Sequence, residues 1–204
     1  TMMPAFAGLG QSISDLETLN AALIVGGNLR KDQPMLNHRL RKASLAGADV
    51  MQLNPIAYEF NYDLAAELIV SPSEMLNGLA AILKALLDGK DVDEGISKLI
   101  SKAEVSDIHT DIASKLKQAE SSTVLLGNLC DSHPQFSGIR ALANLVALHS
   151  NSVLGSAGVA ANSAGVSLAG ALPHRGAAGE ALSKAGKNAA TMLEEPLSAY
   201  LIYN

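Results

Sequence analysis

Cysteine is almost missing from this chain. Cys130 is the only one in 204 residues, which excludes an internal disulfide and any cluster held by cysteines of this chain alone. Tryptophan is absent and aromatic residues reach only 3%, against 48% apolar residues overall. Any core is therefore built from Leu, Ile, Val, Ala and Met. An excess of positive charge is also lacking. A net charge of −5 argues against a general nucleic-acid binder, which needs a basic surface. The five histidines never stand at metal-ligand spacing with carboxylates, so no zinc site is expected. No apolar stretch approaches the length of a bilayer span. The opening residues, Thr1-Met2-Met3-Pro4, show neither a basic region nor a signal-like core. No nucleic-acid partner and no direct membrane insertion are expected, and one free thiol fits a reducing compartment.

What the chain does have is a phrase written twice. Gly27-Asn28-Leu29 is followed after four residues by Pro34, and Gly127-Asn128-Leu129 after four residues by Pro134. Each copy comes directly after a short apolar run, Ala22-Leu23-Ile24-Val25 and Thr123-Val124-Leu125-Leu126, and leads into helical spacing. Strand, Gly-Asn turn and helix thus recur at two places. In an open α/β sheet two such turns can lie side by side, and the crevice between them is where ligands usually bind.

The rest of the chain supports that frame. Strands are expected at 22–25, after a lead-in from Asp15, and at 49–53, 67–70, 122–126 and 152–154, with a last one at 198–202. Pro34 suits the first turn of a helix that Gly47 stops. Ser71-Pro72-Ser73-Glu74 reads as a capping box before Met75, Leu79, Ile82 and Leu86 at helical spacing. Two modest helical patterns between 91 and 119 read as a helical insertion outside the sheet. Continuous apolar runs indicate strands buried on both faces. The expected fold is α/β: a doubly wound, mostly parallel sheet of about five strands with helices on both faces, Rossmann-like. The expected division is an α/β domain at 1–156, with its helical insertion near 88–120, and a small-residue-rich extension at 157–204. Asn204 closely after the apolar run Ala199-Tyr200-Leu201-Ile202 reads as the end of an excised piece of a larger subunit.

The candidate site residues gather at the two turns: Gly26, Gly27, Asn28, Arg30, Asn54, Gly127 and Asn128. Backbone N–H groups at such turns attract anions, and Arg30 and Lys31 add positive charge. The glycine spacing is not the dinucleotide fingerprint, and a tight strand-to-helix turn with positive φ at Gly or Asn is the plainer explanation. Cys130 and His133 stand three apart, yet no motif supports activation of the thiol. No catalytic and no metal-binding residue is assigned. His38, Arg39, Arg41 and Lys42 form a basic stripe, solvated by default or turned to an acidic partner.

Several phrases carry a resemblance: Gly8-Leu9-Gly10-Gln11-Ser12, Gly26-Gly27-Asn28-Leu29-Arg30, Leu53-Asn54-Pro55, Ala161-Asn162-Ser163-Ala164-Gly165 and Gly170-Ala171-Leu172-Pro173-His174-Arg175. In their order they resemble the large iron–sulfur subunit of proton-pumping NADH-quinone oxidoreductase (respiratory complex I) and, more widely, the molybdopterin oxidoreductases. In those enzymes the loop like Gly27-Asn28-Leu29-Arg30 and the strand end like Asn54-Pro55 help hold the guanosine part of the cofactor. The family usually has Pro at the place of Leu29 and Asp at the place of Asn54. The resemblance therefore implies a vestigial nucleotide or pterin crevice in a non-catalytic structural domain of complex I. That domain would carry no cofactor, its parent subunit holding iron–sulfur clusters in an absent N-terminal region. The implied partners are other subunits of the complex I peripheral arm, on the cytoplasmic side of the bacterial inner membrane. The alternatives are a cofactor-binding fragment of a true molybdopterin oxidoreductase and a free-standing nucleotide-binding module.

Overall fold

The computed structural model describes residues 8–90, 92–158, 160 and 162–202. The opening Thr1-Met2-Met3-Pro4 and the terminal Asn204, both used in the sequence reading, lie outside them. The chain divides into two compact units, within Gly8–Val159 and within Ala160–Asn204.

The first unit is built on five parallel strands: β1 (Ala21–Val25), β2 (Asp49–Asn54), β3 (Ala66–Ile69), β4 (Ser122–Leu126) and β5 (Val153–Ser156). Their spatial order is β3-β2-β1-β4-β5. Every residue of β1 and β4 is buried, as unbroken apolar runs with both faces covered should be. The period of two then sorts the side chains. Ala21, Leu23 and Val25 face one layer, and Ala22 and Ile24 the other.

The first layer consists of α3 (Met75–Leu87), α5 (Asp107–Gln118) and α7 (Phe136–His149), with the short α4 (Glu94–Ile100) against α3. Met75, Leu79, Ile82, Leu83 and Leu86 of α3 recur at helical spacing and are all buried. Each such side chain contributes about 1.5–3 kcal/mol when fully removed from water. α5 corrects the expectation of an insertion outside the sheet. Its Ile112, Ala113 and Leu116 are buried, and it packs against β1, β3 and α3. It is the last helix of the connection through α3 and α4 that carries the chain from β3 back to β4.

On the other face lie α2 (Pro34–Leu45) and a 3-10 turn at Ser14–Thr18, joined through buried Leu16, Leu36 and Leu40. Pro34 opens α2 at its first position, as expected. Two short helices, α1 (Leu29–Asp32) and α6 (Asn128–Asp131), follow the two Gly-Asn turns directly. Helices therefore cover both faces of a doubly wound parallel sheet.

Two local signals resolve differently. Ser71 makes no side-chain capping bond and Pro72–Glu74 forms a 3-10 turn ahead of α3, whereas Ser106 and His109 form the capping box at the start of α5. The run 198–202 forms no strand.

The second unit holds α8 (Ser163–Leu168), a 3-10 turn at Ala177–Gly179 and α9 (Ala189–Glu194). None of its described residues is buried. Leu193, Leu201 and Ile202 are 80%, 97% and 89% exposed. Local hydrogen bonds order its end: Asn188 Oδ1 accepts the Thr191 N–H at 2.9 Å, and the Tyr200 hydroxyl donates to the Met192 carbonyl at 2.8 Å. No helix among the described residues is long and apolar enough to cross a membrane.

Candidate functional site

The order β3-β2-β1-β4-β5 reverses direction between β1 and β4, and the two Gly-Asn turns leave the ends of those two strands. The sequence-predicted turns thus meet at the switch point of the sheet. They meet in direct contact. A Cβ on Gly127 would stand 2.4 Å from the Gly27 Cα, and one on Gly27 would stand 2.9 Å from the Gly127 Cα. The Gly127 N–H donates to the Val25 carbonyl at 2.8 Å, and the Leu129 N–H to the Gly26 carbonyl at 2.9 Å. Bare backbone packs on bare backbone, and the base of the expected crevice is filled.

This contact explains the repeated glycines. Neither Gly27 nor Gly127 has room for a methyl group. The positive φ foreseen for Gly or Asn falls on Gly26 alone, at +62°. A Cβ there would lie 2.6 Å from the Cys130 Sγ.

Asn54, expected beside a ligand, is fully buried and engaged within the chain. Its Oδ1 accepts the Gly27 N–H at 2.8 Å, and its Nδ2 donates to the Gly27 carbonyl at 3.3 Å and to the Gln52 Oε1 at 2.7 Å. Gln52 Nε2 in turn donates to Glu67 Oε2 at 2.7 Å. A relay of amides runs from β3 through β2 to the first turn. Sequence reasoning missed Gln52 and Glu67. Two amide residues at i and i+2 in a buried strand were the available signal, since they share one face and must find partners.

Arg30 is exposed and is taken up by the loop between β2 and β3. Its guanidinium donates to the Glu59 carbonyl at 3.1 Å and stands 3.6 Å from the Glu59 carboxylate. Asn28 Oδ1 and Asn128 Oδ1 are both buried, with no hydrogen-bond partner in the chain. As acceptors they could receive a water or the donor of a bound group. Leu29, at the place where the resembled family has Pro, is a core residue packed with Ile24, Leu36 and Leu40.

Cys130 and His133 are not a catalytic pair. The Cys130 thiol is buried, donates to the Val25 carbonyl at 3.2 Å, and has its pKa pushed up to about 12 by burial. His133 is bound to Pro72 and Gln135. The basic stripe on α2 is largely spent inside the chain. Arg39 and Lys42 both bind the Glu17 carboxylate, and Arg41 donates to the Asn61 carbonyl at 3.2 Å. Among the described residues no group of three or more His, Cys, Asp or Glu could hold a metal ion.

No family model matches the chain, and no curated protein matches it. Its fold is similar to a chain of the formyltransferase/hydrolase complex FhcABCD from Methylorubrum extorquens, solved by X-ray crystallography in complex with methylofuran. The TM-score is 0.53 at 15% identity, over 94% of this chain and 52% of that one. The present chain spans about half the length of that neighbour. At this identity the likeness shows the fold alone.

These findings correct the resemblance drawn from short phrases. That neighbour belongs to a formyltransferase/hydrolase complex, not to NADH-quinone oxidoreductase or a molybdopterin oxidoreductase. The assignments to complex I, to quinone-linked electron transport and to an iron–sulfur subunit are set aside, and so are complex I subunits as partners. Neither alternative, the molybdopterin fragment or the nucleotide-binding module, gains support. The physical reason is local. Gly27 and Gly127 are what two touching strand ends require, and Leu29 and Asn54 are fixed by the core and by the turn. Such phrases follow from a doubly wound sheet without the chemistry of one family.

Proposed function

We propose that this protein is an assembly module: an α/β body joined to a second unit, within 160–202, that a partner polypeptide completes. The observation that carries this reading is the second unit itself. Its described residues include no buried side chain, while Leu193, Leu201 and Ile202 lie open to solvent. Residues 160–202, without a core of their own among the described residues, need outside support to be stable. The switch point acts on this reading as a structural seam rather than a ligand site, because Gly27 meets Gly127 and Asn54 is spent on Gly27. The fold's neighbour being a chain of a multi-component complex supports the same reading.

The test is purification of the tagged full chain from its native host. A stoichiometric companion is expected. It should be lost when Leu193, Leu201 and Ile202 are replaced together by Asp, with the thermal unfolding of the body unchanged. A monodisperse monomer whose residues 160–202 are strongly protected from hydrogen exchange would overturn the proposal. Titration with a guanine nucleotide tests the seam, and micromolar affinity there would count against it.

A further inference from the structure

Five pairs in this sequence place Gly or Ser directly after Asn or Asp: Asn77-Gly78, Asp88-Gly89, Asp131-Ser132, Asn151-Ser152 and Asn162-Ser163. In such a pair the main-chain nitrogen of the second residue can attack the side-chain carbonyl carbon of the first. Small second residues shield that nitrogen least, and ammonia leaves an amide more readily than water leaves an acid. By residue type alone, Asn77-Gly78 ranks first.

The structure reverses that ranking. Attack needs a nitrogen free of its hydrogen bond and a backbone free to turn. Gly78 lies buried inside α3, where a Cβ would meet the Leu53 Cδ1 at 3.2 Å, and the Asn77 amide donates to the Glu74 Oε2 at 2.7 Å. The Ser132, Ser152 and Ser163 N–H groups donate to the carbonyls of Cys130, Ala147 and Ala160. At Asp88-Gly89 the nitrogen is unheld. Both residues are exposed, and the Gly89 N–H makes no hydrogen bond among the described residues. A Cβ on Gly89 would meet nothing within 4 Å. Asp88 ends α3 in left-handed backbone at φ +46°, and Gly89 follows at +72°. That conformation is unfavourable for a residue with a Cβ, so the backbone gives up little by leaving it.

We infer that Asp88-Gly89 is a self-modification site, where the folded chain isomerises its own backbone. The Gly89 nitrogen bonds to the Cγ of the protonated Asp88 side chain. The C–OH bond breaks, and the hydroxyl leaves with the amide proton as water. The ring so formed is a succinimide, and a second water opens it at either carbonyl. Opening at the former main-chain carbonyl leaves an isoaspartyl link. The chain then runs through Cβ and Cγ, one methylene longer, with the carboxylate on Cα. One water is released and one is taken up, and nothing is oxidised or reduced. The lengthened link falls between α3 and α4, which pack on each other.

The variant Asp88→Asn supplies the test, because positions 77 and 88 then carry the same Asn-Gly chemistry and differ only in structure. Asn is well suited to left-handed backbone, so the fold should be kept. The full chain, wild type or variant, is held at neutral pH in heavy-oxygen water, folded or in urea. It is then digested in ordinary water and read by mass spectrometry. In the folded variant, position 88 should lose its amide about tenfold faster than Asn77 or more, because a helix interior opens far more rarely than an exposed end. In urea the two rates should nearly match. In the folded wild type, the Asp88 peptide should gain one heavy oxygen and show the isoaspartyl link while Asn77 keeps its amide. Equal rates at the two positions of the folded variant would overturn the inference. So would a folded wild-type Asp88 without heavy oxygen at a time when the unfolded chain has acquired it.

Discussion

Asn54 binds both backbone groups of Gly27, taking its N–H at Oδ1 and giving Nδ2 to its carbonyl. An aspartate has no donor to offer. Placed here it would set a carboxylate against the Gly27 carbonyl and the Gln52 Oε1 in a fully buried position. Asn54→Asp should lower stability by about 3 kcal/mol near neutral pH, measured by urea unfolding. The buried acid would have a raised folded pKa. The loss should therefore shrink on acidification toward the unfolded carboxylate value. A variant as stable as the wild type at neutral pH would show that the Asn54–Gly27 bonds do not hold the turn.

Gly127→Ala brings a methyl group within 2.4 Å of the Gly27 backbone, which has no side chain that can yield. A loss of about 3 kcal/mol or more is expected, visible as a lowered urea midpoint. Gly47→Ala serves as the control. It meets nothing within 4 Å but has a φ of +100°, so only backbone strain of about 1 kcal/mol is expected. Equal losses at the two positions would mean that the turns do not need their close approach.

Cys130 should be inert in the native state. Thiolate is the reactive form, and a thiol with its pKa pushed up to about 12 supplies almost none at neutral pH. Labelling with a thiol reagent should wait for unfolding and follow its rate across a urea series. Rapid stoichiometric labelling of folded protein would contradict the burial of Cys130.

Limited proteolysis should cut within 160–202 first, since exposed backbone with few packed side chains opens most readily. The remaining body should keep a cooperative thermal transition. Early cleavage inside α3, where most residues are buried, would reverse the expected ranking.

The sheet was legible because its central strands are unbroken apolar runs closed by Gly-Asn, and nothing in the local chemistry competes with a buried strand there. α5 was misjudged because Asp111, Lys115 and Lys117 put charge on its outer face and masked the Ile112, Ala113, Leu116 stripe that rests on the sheet. The run Ala199-Tyr200-Leu201-Ile202 looked like a strand, but a strand needs a neighbour. Here Tyr200 instead bonds back to Met192. At the candidate site the sequence disclosed that two turns would meet. It could not disclose that they touch, because the contact involves no side chain. Asn54 was noticed but its partner was not, for a similar reason: that partner is a backbone 27 residues away.

The meeting of Gly27 and Gly127 also limits how such a chain can vary. Its two strand–turn–helix repeats share one point where neither tolerates a side chain, so each turn dictates the composition of the other. Exchanging one repeat for a counterpart from a different protein would succeed only if the incoming turn also arrives bare, and libraries that shuffle the two parts should be designed with positions 27 and 127 as a linked pair.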